Sequence, residues 1–145
     1  MTDNVSKEKR SWIMSRVRGK DTTPELLIRR ALFAEGYRYR IRDRRLPGRP
    51  DIVFTKKKKA IFVHGCYWHR HPGCPMARMP KSNTSFWEKK LNENVQRDIR
   101  RRSELESLGW AVLVVWECET RTPHEALRKV KSFLSEKNPG RRVTD

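Results

Sequence analysis

Apolar residues in this chain recur at two spacings, one typical of helices and one typical of strands. A first helix is predicted from Thr23-Pro24-Glu25, which combines a hydroxyl cap, an early proline and an early acid, to a stop at Gly36. A long helix is predicted from about Ser85 to Leu108, and a last amphipathic helix follows Pro123. The helical pattern therefore occupies three separate parts of the chain.

Shorter apolar runs between these helices predict strands. Tyr37 to Ile41 alternates like a strand, and the runs Asp51 to Phe54 and Ala60 to Val63 predict a β-hairpin with a basic tip. The tip, Lys56 to Lys59, is interpreted as a solvated turn, with contact to phosphate as the alternative. The run WAVLVVWE, residues 110 to 117, is the most hydrophobic in the chain and predicts a central strand buried on both faces.

The resulting order is helix, three strands, helix, strand, helix, which is typical of an α/β sandwich around a mixed sheet. A length of 145 residues suits one compact domain, residues 1–145. Residues 1–20 are basic, with a thin apolar stripe at Trp12, Ile13 and Val17, and predict an N-terminal arm. Residues 138–145 are expected to form a flexible tail.

The net charge of the chain indicates the kind of partner that it binds. The chain holds 34 Lys and Arg against 17 Asp and Glu, and its net charge of +17 favours binding to nucleic acid over a merely soluble surface. The arm is then either a short helix or a segment that orders only on DNA. No stretch has the length of a membrane-spanning helix and no signal peptide is evident, so a cytoplasmic protein with reduced cysteines is expected.

Metal-binding side chains are concentrated after the hairpin, in a chain with only four His and three Cys. The loop from Gly65 to Asn83 is long and contains three prolines, so it can hardly bury a core of its own and needs another source of stability. One imidazole and three thiolates form a closed structural zinc set, made of Cys66, His71, Cys74 and Cys118. The alternative is three unrelated reduced cysteines, with Cys118 a small buried residue.

Carboxylates and histidines around the hairpin suggest hydrolytic chemistry. Asp51 opens one strand and His64 ends the paired strand, so they can lie close together, where a carboxylate suits a hard cation such as magnesium. His69 can serve as general base, Asp98 can orient it, and Glu25 can join a magnesium water shell. The alternatives are a turn cap for Asp51, a helix-dipole role for Glu25 and a surface charge for Asp98.

Aromatic residues divide between core and loop. Trp110 and Trp116 lie in the predicted strand and are expected in the core. Trp68, beside Tyr67 in a proline-bounded loop, is expected to face a ligand, because flat rings stack on bases and wedge open a base step. Trp87 starts the long helix and either joins them or packs inward.

Five blocks, in order over roughly residues 11 to 118, resemble one family: SWIMSRVRGKDTTPE, LPGRPDIVF, IFVHGCYWHRHPGC, FWEKKLNENVQRD and LGWAVLVVWEC. On these motifs the chain resembles the very-short-patch-repair (Vsr) DNA mismatch endonucleases, whose fold is similar to that of restriction endonucleases. The family nicks DNA beside a T:G mismatch left by deamination of 5-methylcytosine. Three features depart from expectation. The Asp and Glu-x-Lys pattern of many nucleases is absent, position 67 is Tyr where a well-known member of the family has Phe, and the loop before Cys74 looks about one residue longer than in the family.

The resemblance implies a role for each candidate residue. Asp51 would bind magnesium directly, with the backbone carbonyl of Val63 as a further ligand, and Glu25 would hold a metal-bound water. His64 would assist at the scissile phosphate. A structural zinc would be bound by Cys66, His71, Cys74 and Cys118.

Water activation and mismatch recognition follow from the same resemblance. His69 with Asp98 would activate the attacking water. The side chains that the family inserts beside the mismatch would be Tyr67, Trp68 and Trp87.

The implied function is that of a magnesium-dependent, strand-specific endonuclease that nicks 5′ of the mismatched T in T:G pairs and starts very short patch repair. Its expected partner is double-stranded DNA with a T:G mismatch, bound by a monomer in the bacterial cytoplasm at the nucleoid, with no membrane involved. A polymerase and a ligase would act on the nick. The alternatives are a related restriction-type nuclease that cuts undamaged sites and a zinc-containing basic DNA-binding module without catalysis.

Overall fold

A computed structural model describes residues 22–77 and 82–138. Its helices are α1 (Thr23–Ala34), α2 (Thr84–Ser107) and α3 (Pro123–Ser135), and its strands are β1 (Arg40–Ile41), β2 (Ile52–Phe54), β3 (Lys59–His64) and β4 (Ala111–Trp116). Short 3-10 helices span Pro75–Ala77 and Glu117–Arg121. This is the predicted order of helices and strands. The predicted N-terminal arm and residues 139–145 of the predicted tail lie outside the described residues.

The strands form one mixed sheet in the order β1-β2-β3-β4. β1 pairs antiparallel with β2, and β2 pairs antiparallel with β3 as the predicted hairpin. β3 and β4 are parallel, with His64 opposite Trp116. Parallel neighbours need a long crossover, which here contains the proline-rich loop and α2. Both strands consequently end at the same edge of the sheet, where the residues that follow them meet.

Helices cover both faces of the sheet. On one face α1 and α3 pack on a core that includes Ile28, Leu32, Ile52, Phe54, Ile61, Val115, Val130 and Leu134. On the other face, Leu105 of α2 packs with Ala60 and Val112. Alternation along each strand sends neighbouring residues to opposite faces, so β3 and β4 serve both cores. The result is an α/β/α sandwich consistent with a restriction-endonuclease-like fold, which confirms the predicted fold class. No helix in the described ranges is both long and apolar enough to cross a membrane.

The prediction that the 110–117 run forms a central strand was wrong. Within the described part of the chain, β4 lies at an edge of the sheet. Its hydrophobicity has another cause, because α1 and α3 cover one of its faces and α2 the other. Leu113 and Val114 are nevertheless only half-buried, because no strand in the described ranges pairs with the outer edge of β4.

The first helix and the first strand begin or end slightly differently from prediction. The cap of α1 is Thr22, whose Oγ1 accepts the Glu25 N–H at 3.4 Å, so it lies one residue before the predicted Thr23. Pairing within residues 37–41 is limited to β1, where Arg40 lies opposite Val53 and Ile41 opposite Ile52. Tyr39 instead packs edge-on against Phe54, with ring centroids 6.0 Å apart.

Two residues predicted to be solvated are buried. Lys59, predicted in the hairpin tip, is the first residue of β3, and its ammonium donates to two backbone carbonyls at the C-terminal end of α3. Asn138, predicted to begin a flexible tail, donates its side-chain N–H groups to the carbonyls of Lys57 and Lys58, both at 3.0 Å. These contacts fasten the end of α3 to the hairpin.

Candidate active site and metal centre

One face of α2 holds the loop that follows β3. Trp87, Leu91, Asn94 and Asp98 recur at intervals of three and four residues, so they share this face. The side-chain amide of Asn94 donates to the backbone carbonyl of Trp68 at 3.2 Å. Asp98, one turn further along, is therefore close to the residue that follows Trp68.

That residue, His69, forms a pair with Asp98. His69 Nδ1 lies 2.6 Å from Asp98 Oδ2, a contact that fixes the ring orientation and leaves Nε2 available for proton transfer. The His69 ring stacks on the ring of His64, with centroids 3.8 Å apart and planes inclined by 7°. Burial lowers the pKa of His64 to about 3, so this imidazole is neutral at physiological pH. The arrangement can support general-base chemistry.

Asp51 and Glu25 form the acidic part of the site. Asp51 Oδ2 accepts the Val63 N–H at 2.7 Å, so the carboxylate lies against the peptide that precedes His64. Burial raises the pKa of Asp51 to about 7, and the neighbouring Glu25 carboxylate acts in the same direction. Glu25 is itself only 2% exposed and accepts a hydrogen bond from Arg42 Nη1 at 2.8 Å. The buried Glu25 carboxylate and the half-buried Asp51 carboxylate beside it suit a hard divalent cation, which compensates their charge.

The Cys/His set also converges. One ligand atom from each of Cys66, His71, Cys74 and Cys118 lies within 4.8 Å of the others. His71 Nδ1 is 3.6 Å from Cys66 Sγ and 3.4 Å from Cys118 Sγ. Sulfur and nitrogen ligands of one tetrahedral zinc, bound at about 2.3 and 2.0 Å, lie roughly 3.5 Å apart. The cluster can therefore hold a metal ion. Burial raises the pKa of the Cys66 thiol to about 12, and a bound cation offsets this effect.

The backbone between His69 and His71 lets adjacent histidines serve different groups. Arg70 has a φ of +54°, in the left-handed region that residues other than glycine seldom adopt. His69 N–H donates to the Gly65 carbonyl at 3.1 Å and His71 N–H to the Cys66 carbonyl at 3.0 Å. His69 thereby reaches α2, while His71 stays with the cysteines.

Trp116 was predicted to be a core residue, but it lies half-buried between the two histidine groups. Its ring stacks on His71, with centroids 4.3 Å apart and planes inclined by 13°, and meets His64 edge-on at 5.4 Å. Trp110, which directly precedes β4, packs instead against the smaller core formed by Ala60, Leu105 and Val112. Sequence reasoning missed this role of Trp116, although its position directly before Glu117-Cys118 was a usable signal.

Tyr67, Trp68 and Trp87 gather in an aromatic cluster. The Tyr67 and Trp68 rings lie 5.0 Å apart, and the Trp87 ring lies 6.2 and 6.0 Å from them. Tyr67 and Trp68 are half-buried, whereas Trp87 is 9% exposed and packs inward behind them. The cluster offers two partly exposed rings supported by a third.

A cavity of about 220 Å³ adjoins the histidines. Its walls are mainly apolar, and Arg70, Arg101 and Arg102 also line it. His64, His69 and Asp98 lie close enough to one another to bind a metal ion as well. The stacked rings and the short His69–Asp98 contact favour proton transfer over that role.

Comparison with known proteins gives consistent matches. The profile of the family described as DNA mismatch endonuclease Vsr matches residues 2–74. The Type II nicking enzyme V.NmeAIP of Neisseria meningitidis is 48% identical over 121 residues, which cover 83% of this chain and 86% of that protein. The Type II nicking enzyme V.XorIIP of Xanthomonas oryzae pv. oryzae is 46% identical over 119 residues, 82% of this chain and 87% of that protein. The DNA mismatch endonuclease Vsr of Escherichia coli is 42% identical over 121 residues, 83% of this chain and 77% of that protein.

Proposed function

Because the chain belongs to the Vsr family of DNA mismatch endonucleases, and is therefore a DNA endonuclease, we propose that it nicks duplex DNA 5′ of the mismatched T in T:G pairs. The observation that carries the proposal is the His69–Asp98 pair, with Nδ1 and Oδ2 2.6 Å apart, stacked on His64. Asp51 lies at the same end of β3. Family membership excludes the alternative of a binding module without catalysis.

In the proposed mechanism His69 accepts the proton of the attacking water at Nε2. As the water oxygen bonds to phosphorus, the bond from phosphorus to the leaving sugar oxygen breaks, and solvent water supplies the proton that this oxygen takes up. Asp98 holds Nδ1 and stabilises the imidazolium that forms. The neutral ring of His64 donates a hydrogen bond to an oxygen of the scissile phosphate, where negative charge develops.

Magnesium is the proposed catalytic cofactor. Asp51 and the Val63 carbonyl would hold it directly, and Glu25 would hold one of its waters. When bound, the ion stabilises the charge that develops on the phosphate. The raised pKa of Asp51, beside the buried Glu25 carboxylate, supports this assignment, because a cation would stabilise the ionised form of Asp51.

Zinc is the proposed structural cofactor of the Cys/His cluster. Three thiolates and one imidazole fill a tetrahedral shell and leave no open position for chemistry. The metal would join the loop after β3, through Cys66, His71 and Cys74, to the end of β4, through Cys118. The separations of 3.4 and 3.6 Å between His71 Nδ1 and two of the sulfurs support the assignment.

Mismatch selection is assigned to the aromatic cluster. Tyr67 and Trp68 would insert beside the mismatch, with Trp87 supporting them from behind. A T:G wobble pair stacks less firmly than a normal pair, so opening the adjacent base step costs less.

The proposed partner is double-stranded DNA, attracted by a net charge of +17. We further propose that the protein acts as a monomer and as one domain over residues 1–145, in the bacterial cytoplasm at the nucleoid. A polymerase and a ligase would complete the repair that the nick begins.

The decisive experiment compares duplexes that are identical except for T:G, T:A or C:G at one position, incubated with the protein and magnesium. Nicking of the T strand in the T:G duplex alone supports the proposal. Equal cutting of the T:A duplex supports the restriction-type alternative instead. Absence of any cutting with magnesium present contradicts both.

A further inference from the structure

The buried carboxylate of Glu25 is held by arginines that no predicted catalytic role includes. Arg42 Nη1 lies 2.8 Å from Glu25 Oε2, and Arg29 Nη2 lies 3.5 Å from the same oxygen. The side chains of Arg42, Arg29 and Glu25 are 25, 10 and 2% exposed. The contact with Arg42 has the length of a charge-assisted hydrogen bond and is partly shielded from water.

Arg42 forms hydrogen bonds with both Glu25 and Asp51. Its backbone N–H donates to the backbone carbonyl of Asp51 at 3.4 Å, while its side chain binds Glu25. Its φ of +44° lies in the left-handed region, which arginine seldom adopts. Arg42 directly follows β1, so the conformation occurs where the chain leaves the sheet beside Asp51.

We propose that Arg42, assisted by Arg29, is the counter-ion of Glu25. Its positive charge keeps Glu25 and Asp51 together in the metal-free protein. The same charge weakens the affinity of the two carboxylates for a divalent cation. The inference rests on the proposed magnesium site. Two adjacent carboxylates repel each other, and a guanidinium group beside them reduces that repulsion. The same positive charge repels an incoming cation. Arg42 is thus a positioning residue, and its contribution to the empty site is opposite in sign to its contribution to cation binding.

The test is the variant Arg42→Gln, which removes the charge and keeps a polar side chain. Its binding of Mn²⁺ without DNA is measured from the free-ion signal in electron paramagnetic resonance, and its thermal unfolding is followed with and without Mn²⁺. We expect a lower Tm without added cation and an affinity for Mn²⁺ that is roughly tenfold higher than that of the parent. A unit and a double charge about 6 Å apart in water repel by an energy that corresponds to this factor.

Two further variants serve as controls. Arg42→Lys keeps the charge and should bind Mn²⁺ about as tightly as the parent. Arg45→Gln removes an arginine from the same loop. The ion-pair partner of Arg45 is Asp43, with Arg45 Nη2 and Asp43 Oδ2 2.7 Å apart. The effect of Arg45→Gln on Mn²⁺ affinity should be much smaller, because the Arg45 guanidinium group is exposed to solvent and its charge is balanced by Asp43.

Each result decides something. Weaker or unchanged Mn²⁺ binding by Arg42→Gln overturns the inference, because a purely structural arginine would support the site in both states. If Arg42→Gln does not fold, Arg29→Gln tests the same signs. Lack of Mn²⁺ binding by the parent, or equal binding by Asp51→Asn, overturns the magnesium site and the inference with it. If the parent binds Mn²⁺, Asp51→Asn does not, and Arg42→Gln binds it as the parent does, the inference is overturned and the magnesium site stands.

Discussion

At the scale of single residues, burial acts in opposite directions on the two halves of the active site. It lowers the pKa of His64 to about 3 and raises the pKa of Asp51 to about 7. Near neutral pH, His64 is therefore uncharged, and Asp51 is partly protonated until a cation replaces the proton. The site carries less charge before a cation binds than its residue types suggest.

The pH dependence of nicking should reflect Asp51. Its pKa in the folded protein lies above the ordinary value of 3.8, so the proton is held below about pH 7 and must leave before a cation binds. At low magnesium the rate should rise as the pH passes through this region. Higher magnesium should move the midpoint to lower pH, because the ion binds the carboxylate form. Single-turnover nicking at two magnesium concentrations measures this, and a midpoint that ignores magnesium would contradict it.

His69 should be the residue whose loss most affects turnover without affecting binding. His69→Ala should slow nicking of a T:G duplex roughly 10²–10⁴-fold, the usual contribution of a positioned general base. Affinity for that duplex should change little. His124→Ala is a matched control, because His124 is exposed in the first turn of α3, away from the site. An unaltered rate in the His69 variant refutes the assignment.

At the scale of elements, the loop between β3 and α2 takes its shape from its neighbours. The Asn94 side chain holds the Trp68 carbonyl from α2, and the Cys118 N–H reaches Cys66 Sγ at 3.4 Å from the end of β4. The Glu117 carboxylate accepts the Cys66 N–H at 3.4 Å. Contacts from both sides therefore hold the loop without a metal ion, and a bound metal would add to them.

Loss of one cysteine should separate the structural metal from catalysis. Cys118→Ser should lose bound zinc and more than about 3 kcal/mol of unfolding free energy, because the binding free energy of a structural metal is folding free energy. Metal analysis and thermal unfolding of the purified variant test this. Soluble, folded parent protein that contains no zinc would argue against the assignment.

Removal of a ring from the aromatic cluster should impair only the discrimination between T:G and T:A duplexes. Trp68→Ala should keep its zinc, its fold and its binding to ordinary duplex, but should lose most of its preference for T:G over T:A. Each ring that stacks on a base contributes about 1–3 kcal/mol of binding free energy. The free energy needed to open the base step is low only beside the mismatch. Competition binding and nicking with matched duplexes measure the preference. Unchanged discrimination would make Trp68 a packing residue and place the wedge elsewhere.

At the scale of the whole molecule, charge dominates. With 34 basic and 17 acidic residues, the protein is expected to be attracted to DNA of any sequence, so in the proposed function it binds matched duplex before it meets a mismatch. Attraction by charge and the proposed selection by stacking would be independent of each other, because the phosphates do not differ between matched and mismatched duplexes. Salt should therefore affect affinity and leave selectivity largely unchanged.

The logarithm of DNA affinity should fall linearly with the logarithm of salt concentration. A loss of roughly 10³-fold or more between 50 and 200 mM salt is expected if about six or more phosphates are contacted. T:G and T:A duplexes should give similar slopes. Fluorescence anisotropy over a salt series measures both, and a flat response would mean that the basic surface serves another purpose.

Local patterns were sufficient for the order of elements, the hairpin and the fold class. Helical and strand periods, and stops such as Gly36, are properties of short segments, so each can be recognised without knowledge of the rest of the chain. The cluster of Cys66, His71 and Cys74 was visible for the same reason. Their proposed roles, and that of His69, still depend on the experiments above.

Contacts between remote segments could not be obtained in this way. The edge position of β4, the burial of Lys59 at the end of α3 and the place of Trp116 between two histidines all depend on which distant elements meet. Arg42 was overlooked because nothing in its local sequence links it to Glu25, seventeen residues earlier. Spacing along a chain records the period of one element, whereas the partner of a buried charge is set by the packing of several.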